Sequence, residues 1–239
     1  MKVMTFNLKD DGIFIFSNWK IRLDGFIELI KREKPDIIGT QEMTYKAKKR
    51  LMLLLKDNNL SYSFYGESRK RNNKLFDEYN AILVYDTIEV ISSCTYSLSD
   101  TPMEARSKFP DDKFPRIITF VETKDFYIYN THLTNKVDKN KFLQLDCISR
   151  LLKKDKPVII TGDFNLGVNR LSNFCRYNKL IDASKDVGNT FISKKSKYHL
   201  DHILINKGIV FKNAKKYTDK YKNRRLSDHY PVSVEIDLV

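Results

Sequence analysis

The stretch Pro157-Val158-Ile159-Ile160-Thr161-Gly162-Asp163-Phe164-Asn165 joins an apolar run to an acid, an aromatic and an amide. The run reads as a buried strand, and Gly162 lets the backbone turn where the strand stops. Asp163 and Asn165 are two apart, so in extended chain both side chains point the same way. A carboxylate beside a neutral amide can hold a hydrated metal, orient a water or contact a phosphate oxygen. The competing reading is an Asx turn closing a strand.

The same types of residue recur at other segment ends. Asn7 closes the strand Lys2–Leu8, and Glu42 closes Asp36–Glu42. Asn130 and His132 share one face of Phe126–Leu133, Asp201 lies in His199–Ile205, and Asp228 and His229 precede the final strand within Leu226–Ile236. Singly these are caps, solvated carboxylates or a core histidine. As a set, acids, amides and histidines suit a hard divalent cation and a phosphoryl group, because Mg²⁺ takes oxygen ligands and keeps waters. Zinc is disfavoured without a nearby Cys or a His cluster. His199 and His202 face opposite ways on a strand, which argues against their sharing a metal. No Gly-rich phosphate loop is present.

These residues need elements to position them. Helical spacing predicts helices over Asn18–Lys34 (Arg22 near its start, Pro35 after it), Lys46–Leu55, Asp138–Lys154 with Phe142 on its apolar stripe, and Leu171–Asn178. Further strands are expected over Tyr62–Tyr65, Arg116–Thr123 and Val210–Tyr217, and as a hairpin-like pair over Glu78–Tyr85 and Ile88–Leu98. Ser68–Asp77 reads as a basic loop and the best local candidate for phosphate contacts. Asp100–Pro115 reads as a long, proline-rich loop and Ser184–Ser196 as a polar one. Many strands alternating with a few helices imply a layered α/β fold with two sheets packed together and helices outside.

The 239 residues suit one domain, 1–239, and 41% hydrophobic residues suffice for a sizeable core. Lys+Arg exceeds Asp+Glu by 43 to 30, a net charge of +13 that favours polyanions. A general lysine richness is the alternative, since the lysines are spread along the chain. Cys94, Cys147 and Cys175 are odd in number and form no CxxC, which speaks for a reducing compartment. With no signal-peptide pattern and no run of membrane-spanning length, a cytoplasmic protein without a membrane span is expected. A monomer is expected.

The chain resembles the endonuclease/exonuclease/phosphatase family, the DNase I-like phosphoesterases. The matching stretches are Met4-Thr5-Phe6-Asn7, Ile38-Gly39-Thr40-Gln41-Glu42, Glu78-Tyr79-Asn80-Ala81-Ile82-Leu83, Asn130-Thr131-His132-Leu133, Thr161-Gly162-Asp163-Phe164-Asn165, Leu200-Asp201-His202-Ile203 and Ser227-Asp228-His229-Tyr230-Pro231-Val232. They run in order through the whole chain, and Pro115-Arg116-Ile117 is similar to the stand-alone bacterial branch. The resemblance implies a four-layer α/β sandwich and dependence on Mg²⁺ or Mn²⁺. It implies Glu42 as principal metal ligand with Asn7 beside it, and Asp228 binding or orienting a metal from the other side. Asp163 and Asn165 would orient the attacking water and hold the phosphate. His229 would stabilise charge in the transition state, backed by Asp201. His132 would contact a phosphate oxygen with Glu78 as its carboxylate partner. Arg116 and Arg22 are weaker candidates for substrate contact, with a structural salt bridge as the alternative reading of each.

The expected activity is metal-dependent hydrolysis of phosphodiesters, foremost in nucleic acid, by endo- or exonuclease action. A phosphatase or phosphodiesterase for a small phosphorylated metabolite or lipid headgroup is the alternative, since the same site serves both. A nucleic-acid-binding protein with an inactive site is disfavoured because every matched position keeps a competent residue.

Overall fold

Alternation along short apolar strands dictates the layering. In the computed structural model, which describes residues 1–9, 18–71, 74, 77–192 and 197–239, the elements run β1 (Lys2–Asn7), α1 (Trp19–Glu33), β2 (Ile37–Thr44), α2 (Tyr45–Asp57), β3 (Tyr62–Tyr65), β4 (Glu78–Tyr85), β5 (Val90–Ser97), β6 (Ile117–Thr123), β7 (Tyr127–His132) and α3 (Asp138–Leu151). They continue with β8 (Val158–Asp163), α4 (Val168–Asn178), β9 (Leu180–Asp182), β10 (Phe191–Ile192), β11 (Lys197–Tyr198), β12 (Asp201–Asn206), β13 (Ile209–Lys216), β14 (Lys220–Tyr221), β15 (Arg224–Arg225) and β16 (Val232–Leu238). The expected loops over Ser68–Asp77 and Ser184–Ser196 fall partly on 72–73, 75–76 and 193–196, which lie outside the described residues.

Two six-stranded mixed sheets form, in the orders β13-β16-β1-β2-β4-β3 and β5-β6-β7-β8-β12-β9. Val3, Ile37, Ile82, Ile128, Ile159, Ile203 and Val234 pack between them. The opposite strand faces bury against helices: Met4, Phe6 and Ile38 with α1 and α2, and Tyr129, Ile160 and Leu204 with α3 and α4. The result is the expected four-layer α/β sandwich. Gly39 permits the sheets to approach, since a Cβ there would sit 2.0 Å from Thr161 Oγ1.

The structure corrects four local expectations. β4 and β5 form no hairpin: β4 pairs with β2 and β3, and β5 with β6 in the other sheet. Gly162 lies inside β8, not at a turn, and a Cβ there would meet the Thr131 carbonyl of β7 at 2.4 Å. Phe142 is 43% exposed, with the Arg170 guanidinium over its ring. His199 precedes β12, so strand parity does not govern it, and its ring stacks on His202 with centroids 4.5 Å apart.

Parallel pairing of β1 with β2 and of β7 with β8 brings their C-terminal ends to one edge of the sandwich. Antiparallel β12 starts there, with Asp201 opposite Asp163. Residues on the inter-sheet faces therefore emerge at one place.

Candidate active site

β2 delivers Glu42 by breaking its own alternation. Ile38 and Met43 both lie on the helix-packed face, although simple alternation would put them on opposite faces. The register shifts between Thr40 and Met43, and Glu42 has φ +52°. This β-bulge turns Glu42 to the site while Gln41 reaches Asn130 across the sheets at 2.7 Å. Glu42 is thus in the bulge of a strand that runs on to Thr44.

β8 delivers Asp163, 1% exposed, and stops. Asn165 has φ +49°, and its backbone N–H donates to Asp163 Oδ1 at 3.0 Å while its side-chain Nδ2 donates to the Leu133 carbonyl. The Asx turn and the site are therefore one structure: the turn fixes both side chains.

Around Asp163 the predicted residues converge. Asn7 Nδ2 donates to Asp163 Oδ2 at 3.0 Å and to Glu42 Oε1 at 3.1 Å. His132 Nε2 and His229 Nε2 each lie 3.6 Å from Asp163 Oδ2. His229 Nδ1 donates to Asp201 Oδ2 at 2.8 Å, and Thr190 Oγ1 donates to the same oxygen at 2.6 Å. Asp228 lines the same cavity and pairs with Lys9 at 3.4 Å.

The electrostatics follow from burial and crowding. Burial pushes Glu42 up to about 7, helped by the Glu78 charge. Burial likewise pushes Asp163 up to about 6. Burial and nearby Arg116 hold His132 well below its ordinary value, so it is neutral. Burial alone would lower His229, but the charges of Asp201 and Asp163 and the Asp201 hydrogen bond raise it to about 10. His229 is therefore an imidazolium whose Nε2–H points into the site.

Three expected contacts differ. Glu78 receives Arg69 at 2.8 Å instead of serving His132, whose nearest carboxylates are Asp163 and Glu42. Arg22 donates to the Leu8 and Lys9 carbonyls instead. In the basic loop, Arg71 is bound to Glu67 and the Thr95 carbonyl. The Arg116 guanidinium, by contrast, lines the cleft and makes no hydrogen bond or ion pair among the described residues.

Residues 4–229 match the model of the Endonuclease/Exonuclease/phosphatase family. The chain belongs to the endonuclease/exonuclease/phosphatase family. Its members are hydrolases acting on phosphoesters. The uncharacterized protein L388 of Acanthamoeba polyphaga mimivirus is 29% identical over 217 residues, 77% of this chain and 79% of that protein. An endonuclease/exonuclease/phosphatase from Bacteroides vulgatus superposes with TM-score 0.88 and 25% identity, over 100% of this chain and 98% of that one. The mannosyl-6-phosphatase Bt3783 of Bacteroides thetaiotaomicron gives 0.86 and 23%, over all of both chains. D. rerio TDP2 complexed with single strand DNA product gives 0.76 and 17%, over 99% and 98%. Two mixed sheets with flanking helices are the DNase I-like sandwich these structures share.

Family members generally use divalent metals, and the donors here fit one. Glu42 and Asp163 are buried acids whose proton affinity is raised first by burial and further by Glu78 and Asp201 respectively, a setting that a cation would relieve. Carboxylates and amides are hard oxygen donors. In the cluster Asp163, Asp201 and His229, the His229 and Thr190 bonds occupy Asp201 Oδ2, while Asp201 Oδ1 has no hydrogen-bond partner among the described residues.

Sequence reasoning missed Thr190, which also accepts the Leu200 and Asp201 N–H groups. It also missed Phe191 and Tyr198, which wall the cavity from β10 and β11. Neither carries a local pattern; both follow only from the pairing of distant segments. Among the described residues no helix is long and apolar enough to cross a membrane.

Proposed function

We propose that this protein is a divalent-metal-dependent phosphodiesterase acting on nucleic acid. The observation that carries the reading is the form of the cleft. A cavity of about 760 Å³ on the Phe191 side and one of about 230 Å³ on the Arg116 side share Lys9, Glu42, His132 and Asn135. The two cavities thus adjoin at Glu42 and His132, beside Asp163 and His229. Lys141 and Arg170, which pair with Asp138, line one arm, and Arg69, which pairs with Glu78, lines the other with Lys113, Arg116 and Lys136. A chain with a phosphate at each residue fits cations on both sides of the scissile bond better than a lone phosphomonoester does.

In this reading Glu42, with Asn7 and Asp228 beside it, would hold Mg²⁺ or Mn²⁺. When bound, the cation would neutralise phosphate oxygens and the leaving oxygen. Asp163 accepts the proton of the attacking water at Oδ2; a carboxylate raised to about 6 is a competent base near neutral pH. Asn165 holds the turn that aims it. His229 donates Nε2–H to a non-bridging phosphoryl oxygen and stabilises the added charge, and Asp201 keeps it protonated and oriented. His132, neutral, donates a second hydrogen bond to phosphate.

The test is hydrolysis of single- and double-stranded DNA, RNA, a sugar phosphate and a phosphodiester lipid, with Mg²⁺, with Mn²⁺ and with chelator, using Glu42→Ala as blank. Metal-dependent cutting of nucleic acid is expected. Turnover of the sugar phosphate alone would replace this reading with the phosphatase one.

A further inference from the structure

Asp201 has a neighbour that the chemistry above does not use. On β12 Asp201 faces the inter-sheet side and holds His229, while His202 faces the opposite way and is fully buried. Its Nδ1 meets Asp182 Oδ2 at 2.7 Å and its Nε2 meets the Leu166 carbonyl at 2.9 Å. Both partners are acceptors, so both ring nitrogens donate. Asp182, His199 and His202 lie close enough together to suggest a metal nest. However, Asp182 Oδ1 already accepts from Ser184 and Oδ2 from His202, and both His202 nitrogens are in use. The cluster is better matched to a clamp.

What it clamps is the cavity wall. Leu166 lies in the turn between β8 and α4, one residue after Asn165, and Asn165, Leu166, Gly167 and Val168 all line the cavity. The His202 ring meets Phe164 edge-on at 5.7 Å and stacks on His199. Leu200 and Tyr198, which flank His199, line the facing part of the cavity, and Phe164 N–H donates to the Leu200 carbonyl. Both wall segments therefore rest on one imidazole.

We infer that His202, held by Asp182, is a positioning residue that fixes the Asp163–Gly167 turn through the Leu166 carbonyl and thereby aims Asp163 and Asn165. The inference rests on the hydrolase reading for its kinetic readout. It separates two bonds with two jobs: the Leu166 bond serves turnover, and the Asp182 bond serves stability.

Substitution can separate them, because a Gln amide nitrogen reaches the place of Nε2 and an Asn amide nitrogen that of Nδ1. In the full-length protein, His202→Gln keeps the donor to Leu166 and His202→Asn keeps the donor to Asp182. We expect His202→Asn to lower kcat about 10- to 100-fold with KM changed less than about threefold. His202→Gln should stay within about threefold of wild type in both. Asp182→Asn, which spares the Leu166 bond, should lower the melting temperature and leave kcat near wild type. Activity that follows melting temperature across the three variants, or an Asn variant as active as the Gln one, overturns the inference. Hydrogen exchange of peptides spanning 163–171 provides a readout without substrate. Faster exchange in His202→Asn than in His202→Gln supports the clamp, and equal exchange overturns it. If wild type cuts no substrate in the panel, the hydrolase reading fails on its own and the exchange result still decides.

Discussion

Replacing Glu42 with Gln should make the metal-free protein more stable at alkaline pH while removing its response to metal. In the folded chain the Glu42 carboxyl is raised from its ordinary 4.5 to about 7 by burial and by the Glu78 charge. A raised carboxyl pKa means that between those values the folded state binds more protons than the unfolded one. Stability therefore falls as pH rises from about 4.5 to about 7 and is level above. At roughly 1.4 kcal/mol per unit the full effect is about 3–4 kcal/mol. A quarter of the side chain reaches solvent, which screens the charge, so about 2 kcal/mol is the better figure. Gln keeps an oxygen to accept the Asn7 amide but carries no charge. In chelator at pH 8 it should melt about 4–8 °C above wild type, and at pH 4.5 the two should coincide. Added Mg²⁺ should raise wild type and leave the variant unmoved. Thermal unfolding followed by circular dichroism at both pH values measures this. A Gln variant less stable than wild type at pH 8 in chelator, or a gap equal at both pH values, would refute the account of Glu42 as an uncompensated buried charge.

Asp201→Asn removes the charge that keeps His229 protonated and should lower kcat/KM about 100-fold or more in steady-state assays with little change in melting temperature; a loss under about threefold counts against His229 acting as an imidazolium. Gly39→Ala forces a Cβ to 2.0 Å from Thr161 Oγ1 and 2.7 Å from Asn130 Oδ1 and should destabilise by about 3 kcal/mol in urea unfolding; adding Thr161→Ala should recover at least about 1 kcal/mol, and strict additivity would count against a direct clash. Burial raises the Glu33 carboxyl, but hydrogen bonds from Tyr217, Lys2 and Arg32 outweigh it and bring the group down to about 2. Its contribution is present above about 4.5 and lost as pH falls toward 2, so Glu33→Gln should cost about 1–2 kcal/mol at pH 7 and flatten the acid limb of the stability curve.

The candidate site residues stood out in the sequence because chemistry at a strand end needs residue types that alternation does not supply. Asn7, His132 and Asp163 appear where apolar runs stop and Asp201 and His229 where they begin, and the structure brings all five together with Glu42. The layers were legible for a related reason: period-two runs in both halves of the chain must bury one face against something. Sheet membership was not legible. β4 and β5 are consecutive and strand-like, yet each finds partners elsewhere, since local pattern carries no record of which edge a strand joins. The same gap hid Glu78's partner: Arg69 is nine residues away in sequence and across a loop, and its ion pair leaves His132 to Asp163 and Glu42.

Strand parity breaks where the backbone departs from extended form, at Glu42 and before Asp201. Simple alternation from Ile38 would have buried Glu42 beneath α1 and α2; the bulge reverses that and sets Met43 in the helix-packed core instead. The parity that separated His199 from His202 assumed a strand from 199, but β12 begins at Asp201, and the two rings stack. A left-handed Glu42 and a left-handed Asn165 are backbone conformations that ordinary residues avoid. At Asn165 the cost is offset locally by an Asx bond, as its residue type suggests. Glu42 has no such local bond. Its conformation is held by the strands on either side, β1 and β4, and a carboxylate held that way stays aimed at the cleft even when its own charge opposes the arrangement.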